Sequence, residues 1–536
     1  MIDDILGQIV KDVRRAVEEG VYSRFAEANT APAGKAPSLV EAVRGAAPEA
    51  FLAEVKPSSP SAGVLADGEP LTVGRRMLHL YRAYGATGIS VLTERDRFGG
   101  SLELLAHAAR AEPRPPVLMK DFLLSDSQLD AASSAGASAV LYIHHLFARG
   151  HTSWELPDAI AAAHDRGLEV LLEVDGHQSL EHALGTEADI LGINNRDLRT
   201  LEMDLERTPD LLRHRIERLG DRPVLALSGI TTRDDVVLMR RGGAAGVLVG
   251  SSLMSAADPR ARLRDLRGIT HVKVCGAGHP EDPPDVFAAM SGADAVGCVV
   301  AAGGARRERS VEEARLLFSR LPQDQEHVLV TTDTDPSPSA ERVAASGANM
   351  LQLHAEPGAE GVAAVHAALP AGVGLIALVR VPGDLETPDE SGRVPDGFRS
   401  FVEEARAVGR HADRLLLDVA PKRGEDAGGT GRTLPRHLAR HLVASLAPLR
   451  VVIAGGLAPG NIAPTLRAVR PWGIDLSSGA EGSKTVGRKD AARVRDVLAE
   501  ARSIPGLFDA HETGRATGAP VVSNVQWKDR RFPSSS

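Results

Sequence analysis

The sequence predicts an α/β fold of two tandem (β/α)8 TIM barrels, and three observations carry that prediction. Sixteen short runs rich in Val, Ile and Leu fall into two consecutive sets of eight. Each set spans roughly 220 to 250 residues, the size of one eight-stranded barrel. The runs are continuously apolar, as parallel strands buried on both faces must be. Between them lie segments such as "PDAIAAAHDRG" and "TTRDDVVLMRRGG", with helical period, a polar start and a closing glycine. A chain of 536 residues with 43% hydrophobic content also exceeds one ordinary core.

Taken in order, Ile2, Ile5, Ile9, Val13 and Val17 recur at helical spacing and predict an amphipathic helix ahead of the first barrel. The first eight strands are read at "AFLAEVK" (from 50), "GISVLT" (88), "PVLMK" (116), "SAVLYI" (138), "LEVLLEV" (168), "ADILGIN" (188), "PVLALSG" (223) and "AGVLVG" (245). The second eight are "HVKVCG" (271), "DAVGCVV" (294), "HVLVTT" (327), "NMLQLH" (349), "VGLIALV" (373), "DRLLLDV" (413), "RVVIAGG" (450) and "GIDLSSG" (473). The polar stretch "SAADPRARLRDLRGI", 255–269, is the expected seam. The first barrel with its extra helix is therefore placed at 1–268, the second at 269–504, and a flexible tail at 505–536.

Composition removes several function classes. A net charge of −9 with interspersed signs and 3% aromatics offers neither a basic groove nor stacking platforms for nucleic acid. No stretch approaches the roughly 18 apolar residues of a membrane span, and the N-terminus lacks the basic-then-apolar pattern of a signal peptide. Cys275 and Cys298 cannot make a disulfide framework, which points to the reducing cytoplasm. Neither a His/Cys cluster at metal-ligand spacing nor a nucleotide loop is present, so no metal and no cofactor is inferred. The expected partners are small phosphorylated substrates, and the expected state is a monomer or weak oligomer.

Barrel chemistry sits at the C-terminal ends of the strands, and phosphate binds at the loops after strands seven and eight. Those places hold Ser228 and Gly229, then Gly250 and Ser251, in the first set. In the second they hold Gly455 and Gly456, then Ser477, Ser478 and Gly479. Glycine lets backbone N–H groups approach an anion closely. Glu54 and Lys56 lie two apart on strand one and share a face. Lys120, Glu173, Asn194 and Arg196 close strands three, five and six at the same mouth. Charges inside a barrel are costly unless they pair or react, so this set predicts acid/base chemistry on a phosphorylated substrate. In the second set, Lys273 and Cys275 share a face opposite Asp418, a plausible base and acid. Arg307 suits a substrate carboxylate, and the glycine-rich 424–431 suits a closing rim. Cys298 reads as core, and His144 and His145 as helix-capping or solvated residues.

These residues bring a family into view. "AEVKPSSPSAG", "SVLTERDRFGGS", "VLMKDF", "GINNRDLRTLEMDL" and "SGI", then "VKVCG", "LQLH", "LLLD", "GGTG", "AGGL", "DLSSG" and "GRKD", stand in order. The chain resembles the bifunctional fusion of indole-3-glycerol-phosphate synthase with phosphoribosylanthranilate isomerase, from the N-terminus to about residue 502. The resemblance implies that Lys120 is the general acid of a decarboxylating ring closure, with Lys56 on the substrate carboxylate or sharing the acid role and Glu54 orienting Lys56. It makes Glu173 the base and has Asn194 position hydroxyls. Phe98 and Phe122 wall the anthranilate pocket, and Ser59, Gly229, Gly250 and Ser251 take the phosphate. For the isomerase it implies Asp418 as acid, Cys275 as base and Arg307 on the carboxylate, with His354 of "LQLH" on the substrate side. One departure stands out: the family has a glutamate before Ser-Gly, and this chain has Leu227. Leu227 is expected to face the mouth with Lys56 and Lys120, shifting their pKa values and leaving a slower synthase or one retuned to a modified anthranilate; the other alternative is one barrel reduced to a phosphate-ligand-binding module.

Overall fold

The computed structural model describes residues 5–507 apart from 61, 198–201, 214, 280–281, 390–392, 421–432 and 483–486. The glycine-rich rim 424–431 and the tail beyond 507 lie outside the described residues. The chain divides into two compact units, one running to Arg267 without Ala83–Gly85, the other holding Ala83–Gly85 and the chain from Gly268.

In the first unit, Ala50–Val55, Gly88–Leu92, Val117–Lys120, Ala139–Ile143, Glu169–Val174, Ile190–Asn194, Val224–Leu227 and Gly246–Val249 form a closed parallel barrel. Closure comes from strand eight pairing back on strand one, with Gly246 opposite Ala50. Side chains alternate in and out along each strand. Leu52, Leu118, Leu141, Leu171, Leu225, Leu227 and Leu248 belong to one cluster in the interior. Burying each of these leucines contributes about 1.5–3 kcal/mol. The N-terminal helix forms as Ile5–Glu18, burying Leu6, Ile9, Val10 and Val13. Two further helices follow, Val21–Ala28 and Leu39–Ala46. The latter is fixed at its start by Glu169, whose carboxylate accepts the N–H groups of Leu39 and Val40 at 2.7 and 3.0 Å. A negative charge at a helix N-terminus is favourable.

The second unit repeats the plan. Its strands are His271–Cys275, Ala295–Val300, Glu326–Thr331, Met350–Leu353, Gly374–Val381, Arg414–Val419, Val451–Ile453 and Gly473–Leu476. Strand one pairs with both strand two and strand eight, which closes the ring, and the short Glu308–Arg309 lies beside strand two. Cys275 belongs to the interior cluster with Val328, Ile376 and Leu416, whereas Cys298 lies in the shell between strands and helices. The N-terminal ends of the strands carry their own polar cluster. Glu326 receives Arg414 at 2.5 and 2.6 Å and lies 3.0 Å from His271, which stacks on Trp472. At that end of a barrel such residues serve stability. Packing continues past 504: Leu507 is buried and its N–H donates to the Gly268 carbonyl at 2.9 Å.

Candidate active sites

A cavity of about 440 Å³ opens at the C-terminal mouth of the first barrel. Glu54, Lys56, Ser59, Phe98, Lys120, Phe122, Glu173, Asn194, Arg196, Ser228, Gly229, Gly250 and Ser251 all line it. Glu54 is the hub. One carboxylate oxygen lies 3.2 Å from the Lys56 ammonium and the other 3.0 Å from that of Lys120. The Glu54 side chain is 2% exposed, while those of Lys56 and Lys120 are 16% and 21% exposed, so the cations face the cavity and the anion backs them. Burial pushes the Glu54 carboxyl up, but the charges of Lys120 and then Lys56 prevail and hold it at about 2. Burial likewise opposes the Lys120 charge, and Glu54 followed by Glu173 overcomes it, raising that pKa.

Glu173 is opposite Gly192 in the register of strands five and six, which puts Asn194 one inward position further on. The Asn194 amide donates to Glu173 at 2.8 Å, and its oxygen accepts the Arg196 N–H at 2.9 Å. Burial raises the Glu173 pKa against the opposing pull of Lys120 and Asn194, leaving a stronger base than an ordinary carboxylate. Gly250 is required by close approach, because a Cβ there would sit 2.3 Å from Glu54 Oε1. Ser228 holds φ at 65°, left-handed for a non-glycine residue, a strain of about 1–3 kcal/mol that such turns carry at functional sites.

Leu227 corrects an expectation. It points inward as strand alternation requires, but it is 1% exposed and lies outside the residues lining the cavity. A Cβ added at Gly192 would meet Leu227 and Leu171 at 2.8 Å, so Leu227 fills the apolar layer beneath the charged ring. The carboxylates that hold the Lys120 proton are Glu54 and Glu173. His144 is buried rather than solvated, with Nε2 2.8 Å from His182 Nδ1, and His145 lies 2.7 Å from Asp175.

Sequence reasoning missed part of this cavity. Leu6 and Ile9 of the N-terminal helix line it, as does Asp121. The helix itself was legible as amphipathic, and the apolar face turned to the cavity was its only signal. Asp121 accepts from the hydroxyls of Tyr22 (2.9 Å) and Thr93 and from the Phe122 N–H (2.8 Å).

In the second barrel, Lys273 and Asp475 are opposite in register and pair at 2.8 Å, with side chains 2% and 7% exposed. A Cβ added at Gly297 would lie 3.1 Å from Lys273 Nζ and 3.2 Å from Cys275 Sγ, which shows how close the two groups come. Burial raises the Cys275 thiol, and the Lys273 charge opposes it. Asp418 is part-buried and raised, first by burial and also by the Asp475 charge. It accepts the Val419 N–H at 2.8 Å. The loops after strands seven and eight touch: a Cβ on Gly479 would fall 1.9 Å from the Leu457 carbonyl, so only glycine fits. Gly455 and Gly456 turn the first of these loops with φ of 93° and 62°, and Ser477 caps the single turn Ser478–Ala480. His354 closes strand four, its N–H donating to Thr331 at 2.7 Å. Arg307 forks onto Glu481 at 2.6 and 3.2 Å, and Lys489 reaches the same carboxylate at 3.2 Å. Neither Glu481 nor Lys489 stands at a position that strand spacing marks as functional.

Two parallel barrels, each with an acid/base set and small-residue turns at its C-terminal mouth, define a tandem-barrel enzyme with two sites. Residues 4–266 match the family described as indole-3-glycerol phosphate synthase, and 272–500 the family described as N-(5'phosphoribosyl)anthranilate (PRA) isomerase. The tryptophan biosynthesis protein TrpCF of Vibrio cholerae is 32% identical over 454 residues, covering 84% of this chain and 86% of that one. The indole-3-glycerol phosphate synthase of Methanopyrus kandleri is 40% identical over 261 residues, 49% of this chain and 97% of its own. A phosphoribosyl anthranilate isomerase structure from Thermus thermophilus is 31% identical, covers 44% of this chain and 99% of its own, and has a TM-score of 0.34. The chain belongs to the TrpCF family of bifunctional tryptophan biosynthesis proteins.

Proposed function

We infer that the chain catalyses two consecutive steps: isomerisation of phosphoribosylanthranilate in the second barrel, then decarboxylative ring closure to indole-3-glycerol phosphate in the first. The observation that carries the reading is the Lys56–Glu54–Lys120 bridge facing the Ser228–Gly229 and Gly250–Ser251 turns in one cavity, in a chain whose other half is the isomerase. This is the full pathway pair, and neither a retuned synthase nor a barrel reduced to binding is favoured.

In the isomerase step, Asp418 protonates the ribose ring oxygen as the ring opens to a Schiff base. Cys275, as the thiolate that the Lys273 charge favours against burial, then removes the C2 proton, and the enol relaxes to the aminoketone. The raised Asp418 pKa supports the acid role, because the group keeps a proton longer than an ordinary aspartate. Arg307 takes the ring carboxylate, His354 lies on the substrate side, and Gly455, Gly456 and Ser477–Gly479 take the phosphate.

In the synthase step, the aminoketone enters with its carboxylate toward Lys56 and its aromatic ring against Phe98 and Phe122, whose centroids lie 5.9 Å apart. Lys120 donates a proton to the ketone oxygen as the aromatic carbon attacks. Loss of carbon dioxide restores electrons to the ring system. The new hydroxyl then takes a proton from Lys56, which shares the acid role, and leaves as water, while Glu173 accepts the last proton and Asn194 keeps Glu173 in place. Ser59, Gly229, Gly250 and Ser251 hold the phosphate, and Arg196 and Ser228 line the remaining wall.

The barrels are assigned to 1–268 and 269–504, with 505–536 as an appended tail. Both cysteines are free, which suits a cytoplasmic enzyme, and the chain is proposed to act as a monomer or weak oligomer without a cofactor. Supplying phosphoribosylanthranilate and following indole fluorescence tests the whole reading. Sustained product formation by the parent supports it, and loss of substrate without indole product refutes the assignment of the first barrel.

A further inference from the structure

In the reading above Arg307 meets the substrate's ring carboxylate, yet part of its guanidinium is already committed. Nε donates to Glu481 Oε1 at 2.6 Å and Nη2 to Oε2 at 3.2 Å. A guanidinium presents two bidentate edges, and this pair consumes the side-on one. The end-on edge, Nη1 with the second hydrogen of Nη2, is what a ligand can use.

Glu481 is itself locked. Its side chain is 4% exposed, its Oε2 accepts the Gly487 N–H at 2.9 Å, and its Oε1 receives Lys489 at 3.2 Å. Lys489 also donates to the Ser477 carbonyl at 2.9 Å, in the loop after strand eight. The Arg307 stem is confined from another side by Gly276, where a Cβ would lie 2.6 Å from Arg307 Cδ and 3.2 Å from Ser477 Oγ. Burial pushes the Glu481 carboxyl up, but the Arg307 hydrogen bond and the Lys489 charge win and hold it at about 2. It is therefore a permanent anion beside the cation that is to bind an anion. Such an anion weakens Arg307's attraction for any carboxylate, so its benefit lies in direction: a pinned guanidinium accepts one approach, where a solvated one accepts many.

We propose that Glu481 is a positioning and specificity-determining residue of the isomerase step, aiming the end-on edge of Arg307 so that the site selects N-phosphoribosyl arylamines whose carboxylate is ortho to the nitrogen. This rests on the reading of Arg307 as the carboxylate-binding residue. Lys489 completes the device by linking the carboxylate grip to the phosphate loop, so the two ends of the substrate are held at one spacing.

The test compares two substrates made from ribose 5-phosphate, one with anthranilate and one with aniline, which lacks the carboxylate. The full chain is used as Arg307→Met, as Glu481→Asp, and as the double variant Glu481→Gln/Lys489→Met, which removes both buried charges together. The ratio of kcat/KM for the two substrates is read because it cancels any loss of folded protein. Both Glu481 variants should raise KM for the anthranilate substrate roughly 10-fold, with kcat within about twofold, and leave the aniline substrate unchanged. Their ratio then falls toward that of Arg307→Met. If Arg307→Met collapses the ratio while both Glu481 variants keep the parental one, or if they slow both substrates equally, Glu481 is only structural and the proposal is wrong. If Arg307→Met itself keeps the parental ratio, the reading of Arg307 fails, and the proposal fails with it.

Discussion

In the first barrel, two cavity-facing cations hang on one buried carboxylate, Glu54; in the second, the part-exposed Arg307 hangs on another, Glu481. Both carboxylates are nearly sealed from solvent, and both are held far below the usual carboxylate range by the cations they support. The origins differ. Glu54 lies on the same strand as Lys56, two residues away, whereas Glu481 follows strand eight and reaches an arginine 174 positions earlier in the chain. The second barrel also keeps the Lys273–Asp475 pair sealed beside its thiol, where the first exposes its lysines to the cavity. The lesson is that a buried anion can serve either to aim a reacting cation or to tune a neighbour, and exposure of the cation tells which.

The largest effects should separate the barrels outright. Lys120→Met removes the proposed synthase acid and is expected to cut that rate ~10²–10⁴-fold, with isomerase kcat/KM unchanged. Asp418→Asn should do the reverse on a similar scale. Separate assays of the two half-reactions on each variant check both, and a variant that loses both activities together would break the division of labour.

Glu54→Gln comes next. It leaves two cations facing each other without their anion, so synthase kcat/KM should drop on the order of 100-fold and thermal stability should fall with it. Conserved activity at full stability would mean that Glu54 neither aims nor neutralises the lysines.

A smaller effect sharpens the comparison through pH. Asp121, buried between Tyr22 and Thr93, is pushed up to about 6, mainly by burial. Because the folded state favours its protonated form, its contribution is full below about pH 4 and is lost as pH rises through about 6, about 3 kcal/mol in all. Glu54 and Glu481 behave oppositely: their contributions are present above about pH 4.5 and are lost as pH falls through about 2. Asp121→Asn should flatten the decline between pH 4 and 6 in urea titrations, and an unchanged slope would refute the assignment.

Ser228→Gly should have the least effect. Relief of the left-handed backbone should stabilise by about 1 kcal/mol, while the lost hydroxyl raises synthase KM a few-fold. Unfolding and steady-state curves read the two separately.

Much of this was legible because strands impose a period of two. Glu54 with Lys56, and Lys273 with Cys275, announce a shared face from spacing alone. The small-residue turns at the mouths were legible because they follow strands seven and eight. What escaped depends on tertiary approach. Glu481 and Lys489 come from a loop with no period, and Leu6 and Ile9 sit on a helix whose docking position nothing local specifies. Leu227 was assigned the correct inward side but the wrong layer, since alternation gives a face and not a depth.

One experiment tests most directly whether the two sites act in sequence, the second barrel's product feeding the first. Phosphoribosylanthranilate is given to the parent chain and to Lys120→Met, and anthranilate-type and indole-type products are followed together. Indole-3-glycerol phosphate is expected from the parent and a stalled carboxyphenylamino-deoxyribulose phosphate from Lys120→Met. Indole product at the parental rate from Lys120→Met would contradict it.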